Sequence, residues 1–218
     1  MKAMILAAGK GTRLRPLTDV VPKPLIRIQG KPLIDYHIEA LAKIGITDLV
    51  INLHHLGGRI KTYLGTGEKY GVHIQYSPEK VPLEMAGGII QALPLLGTEP
   101  FIVISADVFT NYDYAALLHQ PVDLAHMIVL PNPPDHPLGD FALQGHELTC
   151  PEQDRPYTFA GIGLYSPALF EGWPIQPQGI LPLICSPKAR GRVTGEIFEG
   201  LWHNVGQLHQ VKRLNMAS

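Results

Sequence analysis

Over its first 105 residues the chain alternates short apolar runs with segments of helical period, and few architectures accept that rhythm. KAMILAA (residues 2–8) reads as a buried strand running into a glycine-rich turn. PLIDYHIEALAKIG (32–45) sets Leu33, Ile34, Ile38, Leu41 and Ile44 at helical spacing and stops at Gly45, a residue suited to a helix C-terminus. TDLVINL (47–53) and VHIQYS (72–77) read as strands around a short helix, LGGRIKTYLG (56–65). AGGIIQALPLL (86–96) predicts a helix broken at Pro94, and FIVISAD (101–107) predicts a strand placed centrally in a parallel sheet. Such alternation implies βαβ units, so the expected class is α/β, with a mixed, mostly parallel sheet in a three-layer arrangement and helices on both faces. Beyond Asp107 the rhythm loosens. AHMIVL (125–130), DFALQG (140–145) and YTFAGIGLYSP (157–167) read as strands without full helices between them, around a proline-rich loop at 131–137. Neither a repeat nor a linker divides the sequence, so residues 1–218 are expected to form a single domain.

Composition narrows the function classes. Hydrophobic residues make up 45% of the chain, enough for a core without covalent staples. Only Cys150 and Cys185 are present, with no CxxC spacing, so neither a disulfide framework nor a structural zinc site is expected. The two-cysteine composition, the early polar turn of the N-terminus and the absence of a bilayer-length apolar run point to a soluble protein of a reducing cytoplasm. A net charge of −1 argues against nucleic acid or an anionic membrane as the main partner. The distribution says more: residues 1–31 carry seven cations and one acid, Asp19, while the rest carries eleven cations and eighteen acids. A compact cationic segment on a near-neutral protein suggests a small anionic ligand bound near the start.

That segment holds LAAGKGTRLRPLT (6–18), directly after the first strand. Glycines there let the backbone approach a phosphate and present N–H groups to it. The spacing is not that of a P-loop, and Leu14 stands where a dinucleotide fingerprint needs its third glycine. What remains is a glycine turn, then Arg13, capable of bidentate phosphate contacts, then Lys23 held between Pro22 and Pro24. Among the histidines no metal-ligating spacing occurs, and the His54–His55 pair reads as a strand-end surface. Tyr157, Phe159, Trp173 and Trp202 read as packing residues.

GKGTRLRPLT with PKPL (22–25) resembles the nucleotide-binding signature of the sugar-1-phosphate nucleotidyltransferases, and LEMAGGI (83–89), ISADV (104–108), GDF (139–141), YTFAGIGLYSP and WHNVG (202–206) extend the likeness over most of the chain. Within that family the compact length, GDF, TFAGI and the lack of a C-terminal β-helix repeat are most similar to the short N-acetylmuramate-1-phosphate uridylyltransferases of cell-wall recycling. The resemblance implies a Rossmann-like fold of the nucleotide-diphospho-sugar transferase type. The implied reaction joins a nucleoside triphosphate to a sugar 1-phosphate with release of pyrophosphate. It further implies that Leu6, Ala7, Ala8 and Gly9 line the base and ribose end, and that Gly11, Thr12 and Arg13 cradle the triphosphate. Lys23 would lie near the α-phosphate, and Gly87 and Gly88 would pass close under the base. Ser105, Asp140 and Gly161 would meet the sugar, and Asp107 with residue 204 would hold Mg²⁺. Arg13, Lys23 and Asp107 are the catalytic candidates; Glu84 is a secondary, structural one.

Two positions depart from the family pattern. Ser105-Ala106-Asp107 stands where a glycine before the aspartate is more usual, and Asn204 replaces the aspartate that serves as second metal ligand. An amide oxygen can ligate Mg²⁺ but brings no charge, so a weaker metal site is expected. Base and sugar stay open on these grounds. A guanylyl- or thymidylyltransferase, or a weakly active nucleotide- or sugar-phosphate-binding protein, are the alternatives, with a monomer or a small homo-oligomer as the expected state.

Overall fold

In a computed structural model, which describes residues 1–216, the first half of the chain runs β1 (Lys2–Leu6), α1 (Leu17–Val20), β2 (Arg27–Ile28), β3 (Lys31–Pro32), α2 (Leu33–Lys43), β4 (Asp48–Leu53), α3 (Gly57–Leu64), β5 (His73–Pro78), α4 (Glu84–Leu96) and β6 (Phe101–Ser105). The second half adds β7 (Val108–Thr110), β8 (Ala125–Pro131), β9 (Ala142–Gln144), β10 (Glu147–Thr149), β11 (Tyr157–Tyr165), α5 (Leu181–Ile184), β12 (Val193–Ile197), β13 (Trp202–Asn204) and α6 (Leu208–Met216).

Nine strands form one sheet in the order β5-β4-β1-β6-β11-β8-β12-β10-β9. The first four are mutually parallel; β11 and β10 run against the rest, so the sheet is mixed and mostly parallel. The two-residue period of the strands divides the apolar residues between two cores. Ala3, Ile5, Ile51 and Ile104 face α2 and α3, whose Ile34, Ile38, Leu41 and Ile60 complete that layer. Met4, Val50 and Val103 face the other way, onto Ala86, Ile89 and Leu96 of α4. Helices therefore cover both faces, as the alternating pattern requires.

Chain order decides where a ligand can enter. After β1 the chain moves outward through β4 and β5, then α4 carries it back across to β6, on the opposite side of β1. The reversal opens a crevice at the carboxyl ends of β1 and β6, the usual place for a ligand in an open α/β sheet. Register aligns Ser77, Asn52, Leu6 and Ser105 in one row along that edge.

Three expectations need correcting. β6 is central but not within a purely parallel sheet, since it pairs in parallel with β1 and antiparallel with β11. Pro94 does not break α4: only the final turn lies beyond it, and that turn closes through Gly97 N–H to Leu93 O at 2.9 Å. Cys150 and Cys185 form a disulfide, contrary to the expectation drawn from their number. The sheet brings the end of β10 beside the end of α5, a contact that a separation of 35 residues gave no means to foresee. The short strands β7, β13 and β10 also lie below the length at which periodicity is visible, whereas β9 falls within DFALQG as expected. No helix among the described residues is long and apolar enough to cross a membrane.

Candidate active site

The glycine loop leaves β1 at Leu6 and turns at Gly11, whose φ of +62° is a conformation that favours glycine. A Cβ there would lie 2.9 Å from Thr18 Cγ2, so the turn is tight as well as left-handed. Buried Thr18 locks it, donating from Oγ1 to Gly11 O at 2.8 Å. Lys23 follows in a short 3₁₀ turn and is itself buried, its Nζ 2.5 Å from Asp107 Oδ2. Asp107 sits in the turn after β6, where Ala106 N–H bonds Leu6 O and Val205 N–H bonds Asp107 O. Sequence neighbours of three separate segments are thus tied to one point.

Two chambers meet there. The first, about 280 Å³, is lined by Leu6, Ala7, Ala8, Gly9 and Lys23, with Asn52, Glu79, Pro82, Glu84 and Met85 opposite. The second, about 390 Å³, is lined by Arg13, Asp140, Thr158, Gly161, Trp202 and Asn204, with the loop residues Pro133, Asp135 and His136. Ser105 and Asp107 line both.

The floor of the first chamber is a connected acceptor network. Asn52 Oδ1 accepts from Ala7 N–H at 2.7 Å, and its amide donates to Glu79 Oε1 at 2.7 Å. Glu79 Oε2 accepts from Leu83 N–H at 2.9 Å. Both side chains are buried, so these bonds offset a desolvation that would otherwise be severe. In the second chamber Asp140 Oδ2 accepts from Phe159 N–H at 2.9 Å, and Oδ1 lies 3.1 Å from His136 Nε2. Gly161 has φ +75°, and a Cβ on it would come within 3.0 Å of Ser105. Trp202 is anchored by its indole N–H on Ala160 O at 2.8 Å.

Asn204 lies opposite Val108 in the β7–β13 pair, one residue from Asp107. Its Oδ1 is buried without a hydrogen-bond partner. A buried acceptor left unpaired is destabilising, and beside a carboxylate it is a natural oxygen ligand for a hard cation. The donor set therefore fits Mg²⁺ as far as Asp107 and Asn204 reach; among the described residues no group of three His, Cys, Asp or Glu side chains converges on a metal position. Beneath this point buried His37 holds Tyr114 OH through Nδ1 at 2.8 Å. Burial pushes the His37 imidazole down to about 4, outweighing the Val108 backbone and the Asp107 carboxylate, which raise it.

Of the residues singled out from the sequence, Leu6, Ala7, Ala8, Gly9, Lys23, Ser105 and Asp107 line the first chamber, and Arg13, Ser105, Asp107, Asp140, Gly161 and Asn204 the second. Gly11 and Thr12 shape the loop without lining either. Gly87 and Gly88, expected under the base, line neither chamber: Gln176 O fills the space a Cβ on Gly87 would need, at 2.1 Å, and Glu79 Oε1 that of Gly88, at 2.7 Å. Their close approach is to protein atoms. Asn52, Glu79 and His136 were missed. An amide at the end of the apolar strand VINL was the one available signal, since a buried polar residue at a strand's carboxyl end marks a ligand edge.

The nucleotidyl transferase family model matches residues 2–138. The chain is 45% identical to an N-acetylmuramate α-1-phosphate uridylyltransferase of Neisseria meningitidis serogroup B, over 97% of this chain and 96% of the relative. It is 33% identical to a Caulobacter vibrioides protein of the same name, over 94% and 91%. A mannose-1-phosphate guanyltransferase of Aspergillus fumigatus is 32% identical over 95% of this chain but only 61% of the relative. In structure, a Bacillus anthracis protein described as a glucose-1-phosphate thymidylyltransferase, solved with sucrose, superposes with a TM-score of 0.86 at 25% identity, over 100% of this chain and 94% of the other.

Proposed function

We propose, starting from the fact that the chain belongs to the nucleotidyl transferase family, that it joins UTP to N-acetylmuramate 1-phosphate, giving the uridine-diphospho-sugar and pyrophosphate. The observation that carries the reading is the pair of chambers meeting at Ser105 and Asp107. Two anionic substrates need two adjoining sites whose shared wall is where their phosphates react. Identities of 45% and 33% over nearly the whole of the uridylyltransferase relatives support uracil and the muramate sugar over the guanylyl relative, matched over 61% of its length, and the thymidylyl structure, at 25% identity.

In this reading the triphosphate lies along the glycine loop with its base over Asn52 and Glu79, whose acceptor-rich floor suits a base with a ring N–H. The sugar lies over Gly161, whose lack of a side chain lets Ser105 pack against it, with Asp140 accepting from a ring hydroxyl. An anomeric phosphate oxygen forms a bond to the α-phosphorus while the bond to the bridging oxygen breaks, and pyrophosphate leaves with that electron pair. The protein forms no covalent bond; it aligns the groups and neutralises charge. Lys23, preset between two prolines, presents its ammonium at the junction, and Arg13 offers a planar donor fork from the sugar side. Asp107 and Asn204 would hold Mg²⁺, which supplies positive charge to the phosphate oxygens when bound.

Pyrophosphate release is to be followed with UTP, GTP and dTTP against N-acetylmuramate, mannose and glucose 1-phosphates in the presence of Mg²⁺. UTP with the muramate sugar is expected to give the highest kcat/KM, and Asp107→Asn to lower kcat by about a hundredfold or more. Faster turnover of GTP with mannose 1-phosphate would overturn the assignment of base and sugar. Unchanged turnover in the variant would remove Asp107 from the site.

A further inference from the structure

N-acetylmuramate 1-phosphate carries two anions, the phosphate at C1 and a carboxylate on the lactyl ether at C3. The second distinguishes it from other N-acetylhexosamine phosphates. Five ionisable side chains line the second chamber: Arg13, Asp107, Asp135, His136 and Asp140. Three are acids, which would repel a carboxylate. Arg13 packs against Gly206 beside Asn204, at the phosphate end. His136 alone is left to meet an anion at the far end.

Its geometry suits the task. Asp140 is fixed by Phe159 N–H on Oδ2, and its Oδ1 faces His136 Nε2 at 3.1 Å. A carboxylate only accepts, so Nε2 carries the proton of that bond. Nδ1 is then the free edge of the ring, on the loop between β8 and β9 that borders the chamber. In the neutral ring Nδ1 would be an acceptor and would repel a carboxylate; with a second proton it becomes a charged donor.

We propose that His136, oriented by Asp140, reads the lactyl carboxylate of the sugar substrate through Nδ1–H. This rests on the assignment of N-acetylmuramate 1-phosphate as substrate. In the complex the ring then carries both protons, Nε2–H donating to Asp140 and Nδ1–H to the lactyl carboxylate.

The test compares kcat/KM, with UTP, for N-acetylmuramate 1-phosphate and for the same sugar phosphate with its lactyl carboxylate capped as a primary amide. A charge-assisted hydrogen bond predicts that the wild type prefers the acid by about tenfold or more. His136→Gln is expected to reduce that ratio to near one, and His136→Lys, which keeps a cation, to retain a preference for the acid. His136 is on an exposed loop, and a thermal midpoint close to wild type confirms that the variants fold. A ratio unchanged by His136→Gln, or a wild type indifferent to the amide, overturns the assignment to His136. Failure of the underlying substrate reading is distinct and visible first: the wild type then turns over another sugar phosphate and not the muramate, and the role of His136 falls with it.

Discussion

Asn204→Asp tests the metal reading in two opposite directions at once. Asn204 pairs with Val108, one residue from Asp107, and its buried Oδ1 has no partner. Paired residues on neighbouring strands have Cα atoms about 5 Å apart, and Asp107, one residue off that pair, lines the same chamber, so the two carboxylates of the variant would sit on the order of 6 Å from each other. At an effective dielectric of about 20 their repulsion is about 3 kcal/mol. Arg13, close to the same position, offsets part of this. Without divalent metal the variant should therefore lose about 1–3 kcal/mol, or roughly 3–10 °C of Tm for a chain of this size. Repulsion raises the pKa of the new carboxyl, so the loss is present above that raised value and is relieved as pH falls through it. With Mg²⁺ the order reverses, because a ligand that binds the folded state stabilises it more when its site carries more charge. Each 1.4 kcal/mol recovered on binding is about tenfold in affinity, so the half-saturating Mg²⁺ concentration should fall about tenfold or more. Thermal unfolding and initial rates, each measured across a Mg²⁺ titration, supply both readouts. If wild type and variant respond to Mg²⁺ at the same concentration, Asn204 is not at the metal, and its orphaned oxygen needs another explanation.

Two further predictions concern stability. Because the folded-state value of His37 is about 4 against 6.5 for an exposed imidazole, the unfolded chain binds the extra proton between those values. Stability from this residue is therefore complete above about pH 6.5 and declines as pH falls toward 4, by about 3 kcal/mol in all. Denaturant unfolding at pH 7 and 4.5 should show a smaller decline in His37→Gln than in wild type, and an equal decline would refute the assignment. Breaking the Cys150–Cys185 bond frees a 35-residue loop, which corresponds to about 4 kcal/mol of loop entropy. A thiol reductant should lower the wild-type Tm while leaving Cys150→Ser unmoved; an unresponsive wild type would mean the pair is not joined.

The parts of this protein that were legible in its sequence are those encoded by local period and residue type. β1, α2, β4, α3, β5 and β6 each span enough residues for a period of two or 3.6 to declare itself, and their alternation dictates helices on both faces of the sheet. Lys23 and Asp107 were legible because their surroundings are unusual: a lysine between prolines, and an acid ending an apolar strand. The three-residue strands β7, β10 and β13 have no period to detect, and Pro94 misled because its effect depends on how near the helix end it falls.

What escaped was pairing at long range. Glu79 has no local mark that separates it from a solvated loop glutamate; it becomes a chamber wall only because β5 ends beside β4 and brings it to Asn52, 27 residues earlier. Gly87 and Gly88 were expected to approach the base, yet a glycine does not say what approaches it. Here the neighbours are Gln176 and Glu79, so their contribution to a ligand would be indirect, through the seating of α4 against the loop that follows Trp173 and the placement of the Glu79 carboxylate. His136 is the sharpest case. In the sequence it is one histidine in a proline-rich loop, and only the fixed carboxylate of Asp140 determines which ring nitrogen is left without a protein partner. Residue type can name a chemistry; the direction in which it is offered comes from partners that the fold supplies.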